Sequence, residues 1–414
     1  MKRFGLAGIV ALLIGTVAAA QGVATPRDLP STELAVAWID NDPAVIEAQR
    51  ALAAAGHGAA VLAAGPHEWT ANASTQRRNV GGVGNTTEWS IGVERGIRIG
   101  GKAGLDRRLG EADIEIGRAR VGEARREVAR ALSDLWLDVQ AAHGAQVLLK
   151  EQLSFAEANL AAVDKRKRAG DASELDLSIA QSDLAEVRLQ ASQADSALAK
   201  ARAKLTLRFP KASPALGAFS DLTEPPWPEV RWRERILAGA GPLKVADAQL
   251  RRAELAASRT QADKVADPTV GVFTSNEAFR NERVVGISVN IPFGGAVRER
   301  RLQQALQEVE VARAALDRTR QGTEIQIAET FADAVGSVER WRIAERGAEA
   351  ARESARLTQR AYTLGEVDLQ SLLLVRRQSL NSLRAAGEAR AEALRWNHRL
   401  LIDAHLIWEL SLDQ

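Results

Sequence analysis

The sequence predicts a mainly α protein with a small β part, a duplicated unit in which long antiparallel coiled-coil helices carry β-hairpins. Three observations predict it. The stretches Lys102 to Arg168 and Val297 to Thr363 contain no Pro, and at ~1.5 Å per residue each gives roughly 100 Å of helix. Ahead of each stretch lie two segments of about ten residues that read as strands. Finally, the chain aligns with itself when shifted by about 195 residues. Composition agrees: of 414 residues 46% are hydrophobic and 26% charged but only 4% aromatic, the mixture of long helices.

At the N-terminus, Lys2 and Arg3 precede an uncharged run from Phe4 to Ala20 in which Ala18 and Ala20 fit a small-x-small cleavage site. Residues 1–20 therefore read as a signal peptide, which places the mature chain outside the cytoplasm. Without Lys2 and Arg3 the formal charge falls from +2 to zero, so no electrostatic case for nucleic acid exists. The absence of Cys excludes disulfides, thiolate metal sites and a lipidated N-terminal Cys.

The first repeat, 21–209, opens with the helical "DPAVIEAQRALAAAG" and continues through the strand candidates "HEWTANASTQRR" and "TTEWSIGVERGI", about 67–97. Its outbound helix keeps a four-three seam of Val128, Leu132, Leu135, Val139, Ala142, Leu149, Leu153, Ala156, Leu160 and Val163, broken at Gln146. That is a coiled-coil pattern. A tip at 169–173 turns the chain back. Residues 210–240, with Pro210, Pro214, Pro225, Pro226 and Pro228, read as an irregular equatorial collar that includes "EPPWPEVRW".

The second repeat, 241–414, has "GPLKVADAQLRRAEL", strand candidates over about 268–292, a second long helix and a tip at 364–368. In "RVVGISVNIP", Val285, Ile287, Val289 and Ile291 alternate with Gly286, Ser288 and Asn290, the period of a half-buried strand. The strands are long enough to cross a bilayer when tilted. Four strands cannot close a barrel and lipid tolerates no open edge, so other copies of the chain must complete them.

"RGIRIGGKAGLDRR" imitates a phosphate-binding loop through Gly96, Gly101 and Lys102, but Ala103 stands where a metal-binding Ser or Thr is needed. Its repeat partner "VNIPFGGAVR" keeps the two glycines and has Ala296 in place of the Lys. Both copies thus read as strand-to-helix junctions, with Lys102 solvent-facing at the rim. His57, His67, His143, His398 and His405 show no ligand spacing and read as polar surface or lumen residues. Trp69, Trp89, Phe273, Phe279 and Phe293 lie in or beside the strands, where an aromatic belt marks a lipid interface. Trp136 and Phe331 match between repeats and read as packing residues. No catalytic, metal-binding or cofactor-binding constellation recurs.

The signal peptide, the duplicated unit and the turns "RAGDASELDL" and "LGEVDLQSLL" resemble the TolC-like outer membrane efflux family, the outer membrane factors. "PFGGAVR" matches the family's strand-to-helix junction, whereas "RIGGKAG" lacks its Pro. The resemblance implies a homotrimer with a twelve-stranded barrel in the outer membrane of a Gram-negative bacterium and a helical tunnel in the periplasm. It also implies a periplasmic adaptor and a proton-driven inner-membrane pump of the resistance-nodulation-division type, meeting the tips at Gly170, Asp171, Ser173, Gly365, Glu366 and Asp368. Asp171, Glu174, Asp176 and Asp368 would recur as gate rings, with Arg166, Arg168 and Arg360 able to bridge to them; the other reading of Asp171 and Glu366 is turn and N-cap chemistry. "HEWTANASTQRR", "LDRRLGEADIE", "LSDLWLDVQAA" and "GEVDLQSLLLVRRQ" look most like the heavy-metal, cobalt-zinc-cadmium branch. A drug-efflux duct or the exit duct of a type I secretion system shares this architecture. A periplasmic coiled-coil adaptor or structural spacer is a separate reading.

Overall fold

A computed structural model describes residues 26–217, 219–277, 281–408 and 410; the predicted signal peptide lies outside them. The elements run α1 (Thr32–Asp40), α2 (Pro43–Ala64), β1 (Thr70–Val80), β2 (Gly84–Gly96), α3 (Lys102–Ala169), α4 (Glu174–Arg208), α5 (Glu229–Gly239), α6 (Gly241–Ala262), β3 (Thr269–Glu277), β4 (Glu282–Asn290), α7 (Ala296–Leu364) and α8 (Leu369–Asp403). The duplication is plain: α2-β1-β2-α3-α4 is repeated by α6-β3-β4-α7-α8. The long helices have 68 and 69 residues and their return helices 35 each.

The strands form one antiparallel sheet in the order β1-β2-β3-β4, which leaves β1 and β4 as free edges. Below it the helices pack in the order α2-α3-α6-α7, so each strand continues into one helix of a single-layered wall. Further down, α4 takes up the wall beside α3 and α8 beside α7. Helices α4 and α2 meet near end to end, where Arg208 pairs at 2.9 Å with Asp42, the N-cap of α2. The predicted seam holds: Val128, Leu132, Val139, Leu149, Ala156 and Val163 are buried. At its break, Gln146 donates 2.7 Å across to Asp195 of α4.

The main core lies at mid-height, where Leu132, Trp136 and Val139 of α3 meet α1, the end of α4 and Trp408. Phe331 packs beside a second cluster around Trp232 and Ile236. The equatorial collar is less irregular than the prolines suggested, because Glu229–Gly239 is helical. Pro228 starts that helix and Trp232 and Ile236, four apart, bury one face of it.

His398 corrects the expectation of surface histidines: it is 2% exposed. Its Nδ1 lies 3.4 Å from Ser133 Oγ and its Nε2 3.5 Å from the Asp28 carboxylate. Burial pushes the Asp28 carboxyl up, but the His398 hydrogen bond and charge and the Ser220 hydroxyl hold it below its ordinary value. Trp136 and Gln140 donate to the Asp28 carbonyl at 2.7 and 2.9 Å, so this enclosed group pins the segment before α1 to the trunk.

Candidate conduit: the two-faced sheet, the junction and the helix tips

Residues paired across the strands share a face, and the register divides the sheet by chemistry. One face carries Val93, Val272 and Ile287 in one row and Ile91, Thr274 and Val285 in the next. Apart from Thr274, which donates to the Val284 carbonyl at 3.0 Å, these are apolar side chains that stand exposed, Val285 at 75% and Ile287 at 74%. The other face carries Asn72, Ser74, Gln76, Ser90, Ser275 and Ser288. All four strand carboxylates, Glu88, Glu94, Glu277 and Glu282, lie on this polar face. Arg78 is the one strand cation there among the described residues, and it pairs with Glu88 at 3.3 Å.

Of the predicted aromatic belt, Trp89 is on the apolar face toward the hairpin end. Trp69 and Phe293 stand exposed at the helix end, where the Arg95 guanidinium lies 5.5 Å from the Trp69 ring. Phe279 lies outside the described residues. Phe273 must be reassigned: it pairs with Gly92 and Gly286 and so belongs to the polar face. Its ring lies over Gly286, where a built Cβ would stand 2.6 Å from the ring.

Lys102 also overturns its expectation. It is 2% exposed, and its Nζ donates to Asp267 Oδ1 and the Val265 carbonyl, each at 2.7 Å. Asp267 also takes the His67 ring nitrogen at 3.0 Å and the Ile99 amide at 3.1 Å. Burial pushes its carboxyl up, but the hydrogen bonds from His67, Lys102 and Ile99 and the Lys102 charge outweigh that and hold it at about 2. Beside it, Arg98 donates to the carbonyls of Leu62, Ala63 and Ala64, capping the C-terminus of α2, and to Asp106. Asp106 in turn binds Arg259 of α6. The apparent phosphate loop is therefore the joint that sews strands to wall. Gly100 and Gly101 turn it with φ of 68° and 77°, whereas Gly295 in the second copy has φ −145°, so the matched glycines perform different backbone tasks.

At the far end, Gly170 and Gly365 cap α3 and α7 in the left-handed region, φ 84° and 77°. The amides of Asp171 and Glu366 reach back to the carbonyls of Arg166 and Ala361. N-cap chemistry belongs to other residues than Asp171 and Glu366: Ser173 and Asp176 form a capping box on α4, and Asp368 accepts from the Ser371 amide at 2.7 Å on α8. Hydrogen bonds from Ser173 lower the Asp176 carboxyl, and those from Ser371 lower Asp368. Glu174 pairs with Lys167, and Arg168 with Asp164. Arg166 links the two tips: it donates 3.0 Å to the Tyr362 hydroxyl, lies over that ring, and holds the Asp171 carbonyl at 3.2 Å. Asp171, Glu366 and Arg360 are exposed.

No family model and no curated protein matches the chain, but solved structures do. A membrane protein from Pseudomonas aeruginosa superposes with TM-score 0.75 at 18% identity, covering 90% of this chain and 93% of that one. The outer-membrane channel OprN gives 0.74 at 18%, covering 92% and 91%. The outer membrane protein VceC from Vibrio cholerae gives 0.71 at 16%, covering 90% and 95%. The chain has the fold of outer membrane channels. The likeness covers 90–92% of the chain, and the mainly α fold with its small antiparallel sheet stands as predicted. Among the described residues no helix is long and apolar enough to cross a membrane.

Proposed function

We propose that the chain belongs to the TolC-like outer membrane factors and acts as the passive exit duct of a tripartite efflux system. One observation carries this: a sheet with an apolar outer and a polar inner face continues, strand for helix, into a single-layered wall. Two free edges require closure, and three copies of four strands give the even number that membrane barrels carry. A periplasmic adaptor spacer, the competing reading, has no use for a bare apolar sheet face. Energy comes from a proton-driven inner-membrane pump of the resistance-nodulation-division type, reached through an adaptor at the Gly170 and Gly365 tips.

The cargo we assign is heavy-metal cations. Four inward carboxylates against Arg78 per sheet favour cations along the wall. Among the described residues no group of acids and histidines is arranged to hold a metal ion, and a duct needs none to pass one. Phe273 on the inner face supports the second reading, a drug duct of the same fold. Deleting the gene and growing cells on zinc, cadmium, cobalt, copper, silver and hydrophobic drugs tests both. Metal sensitivity is expected; sensitivity to drugs alone replaces the cargo and keeps the duct, and sensitivity to neither overturns the efflux role.

A further inference from the structure

A cavity of about 810 Å³ lies below the sheet, where α3, α5, α6 and the segment after α8 meet. Its volume is that of a small-molecule site, but its lining is charged. Arg118 and Arg126 of α3, Arg235 of α5, and Lys244 and Arg251 of α6 face the carboxylates of Glu115 and Asp247 across it. Both carboxylates go to one cation, since Arg251 pairs with Asp247 at 2.6 Å and with Glu115 at 3.2 Å. Arg126, 6% exposed, is held by Glu123 and Asp403, and Lys244 also has a partner. Two cations are left over. Arg118 has no hydrogen bond or ion pair among the described residues, and Arg235 uses only its Nε, which donates at 3.1 Å to the Ala404 carbonyl.

The ring of His405, in the same lining, reports the sign of the field. Burial pushes its imidazole down and the Gly239 carbonyl, 3.2 Å from Nε2, pushes it up; Arg126 and Lys244 push it down by more than Asp403 raises it, so it lies below its ordinary value. Gly122, Gly239 and Gly241 bring bare backbone to the lining, which lets a ligand approach closely. We propose that this cavity binds the phosphate group of a water-soluble phosphate ester between Arg118 and Arg235. A guanidinium donates two parallel hydrogen bonds to phosphate oxygens. A phosphate ester also carries about two negative charges at neutral pH, which match the two open guanidinium groups better than one carboxylate does. Arg118 lies about 24 Å along α3 from Lys102 at ~1.5 Å per residue, so on the duct reading a membrane headgroup is out of reach. The site itself does not depend on that reading.

The test is isothermal titration calorimetry on the full chain in mild detergent, in phosphate-free buffer at constant ionic strength. Glycerol 3-phosphate should bind saturably, one per chain, and inorganic phosphate should compete for the same site. Glycerol, chloride and micelles containing phosphatidylglycerol should not. Arg118→Ala removes an exposed side chain that holds nothing in the fold and should weaken binding about ten-fold. Arg235→Ala should do the same and Arg118→Lys less, while Arg107→Ala, an exposed arginine of α3 outside the cavity, should change nothing. No saturable binding, unchanged affinity in either cavity Ala variant, or an equal loss in Arg107→Ala overturns the site. Tighter binding of succinate than of glycerol 3-phosphate overturns the phosphate assignment, and displacement by phosphatidylglycerol overturns the soluble source.

Discussion

Replacing Lys102 with Met removes the buried charge while keeping most of the side-chain volume. Asp267, its side chain 13% exposed, then keeps only the His67 ring and the Ile99 amide, and the Val265 carbonyl loses its donor. Breaking a buried pair on one side costs about 3–5 kcal/mol. With two donors left on Asp267 the lower end, about 3 kcal/mol, is expected. Guanidinium unfolding of the detergent-solubilised protein, followed by tryptophan fluorescence at pH 7, measures it. Acid supplies a second readout. Asp267 sits at about 2 in the fold against an ordinary 3.8, so its stabilisation, about 2 kcal/mol, is complete above the ordinary value and vanishes as pH falls through the folded one. Without Lys102 the folded value rises and less of this stabilisation remains to be lost. A variant within about 0.5 kcal/mol of wild type at pH 7, with an unchanged acid profile, refutes the reasoning.

Three further outcomes follow from the geometry. Gly286→Ala drives a Cβ into the Phe273 ring and should swing the ring into the conduit, lowering single-channel conductance; Gly286→Ala/Phe273→Ala should restore it. Arg166→Ala removes the exposed link to Tyr362, worth about 0.5–1 kcal/mol, so open probability should rise about two- to five-fold, and Tyr362→Phe should give a smaller rise in the same recording. Asp28→Asn leaves His398 without its carboxylate and should increase proteolysis of the segment before α1, read by N-terminal sequencing of the fragments.

Much of the architecture was legible because it follows from local patterns. Pro-free stretches fix the long helices, and Gly170 and Gly365 mark the tips because a helix most readily ends on a residue that tolerates positive φ. Phe273 was misread although its parity was visible: it alternates with Val270 and Val272 and so falls on the face of Gly271. Lys102 was unreadable for another reason. Its partner Asp267 is 165 residues away, and the comparison with Ala296 suggested a position with no task. The repeats share a backbone path, while the ion pairs sewing α3 to the α6–β3 segment belong to one junction only. Similarly, nothing local ties His398 to Asp28.

The claim that one sheet face meets lipid and the other lines the conduit is tested most directly on β4, with single cysteines in a chain that has none of its own. Cells carrying each variant would be treated with a membrane-impermeant, water-soluble thiol reagent and, separately, with a lipid-soluble one. Cysteines at Val284, Gly286 and Ser288 should react with the water-soluble reagent, and those at Val285, Ile287 and Val289 with the lipid-soluble one, alternating residue by residue. Uniform labelling of all six positions by the water-soluble reagent would contradict the account.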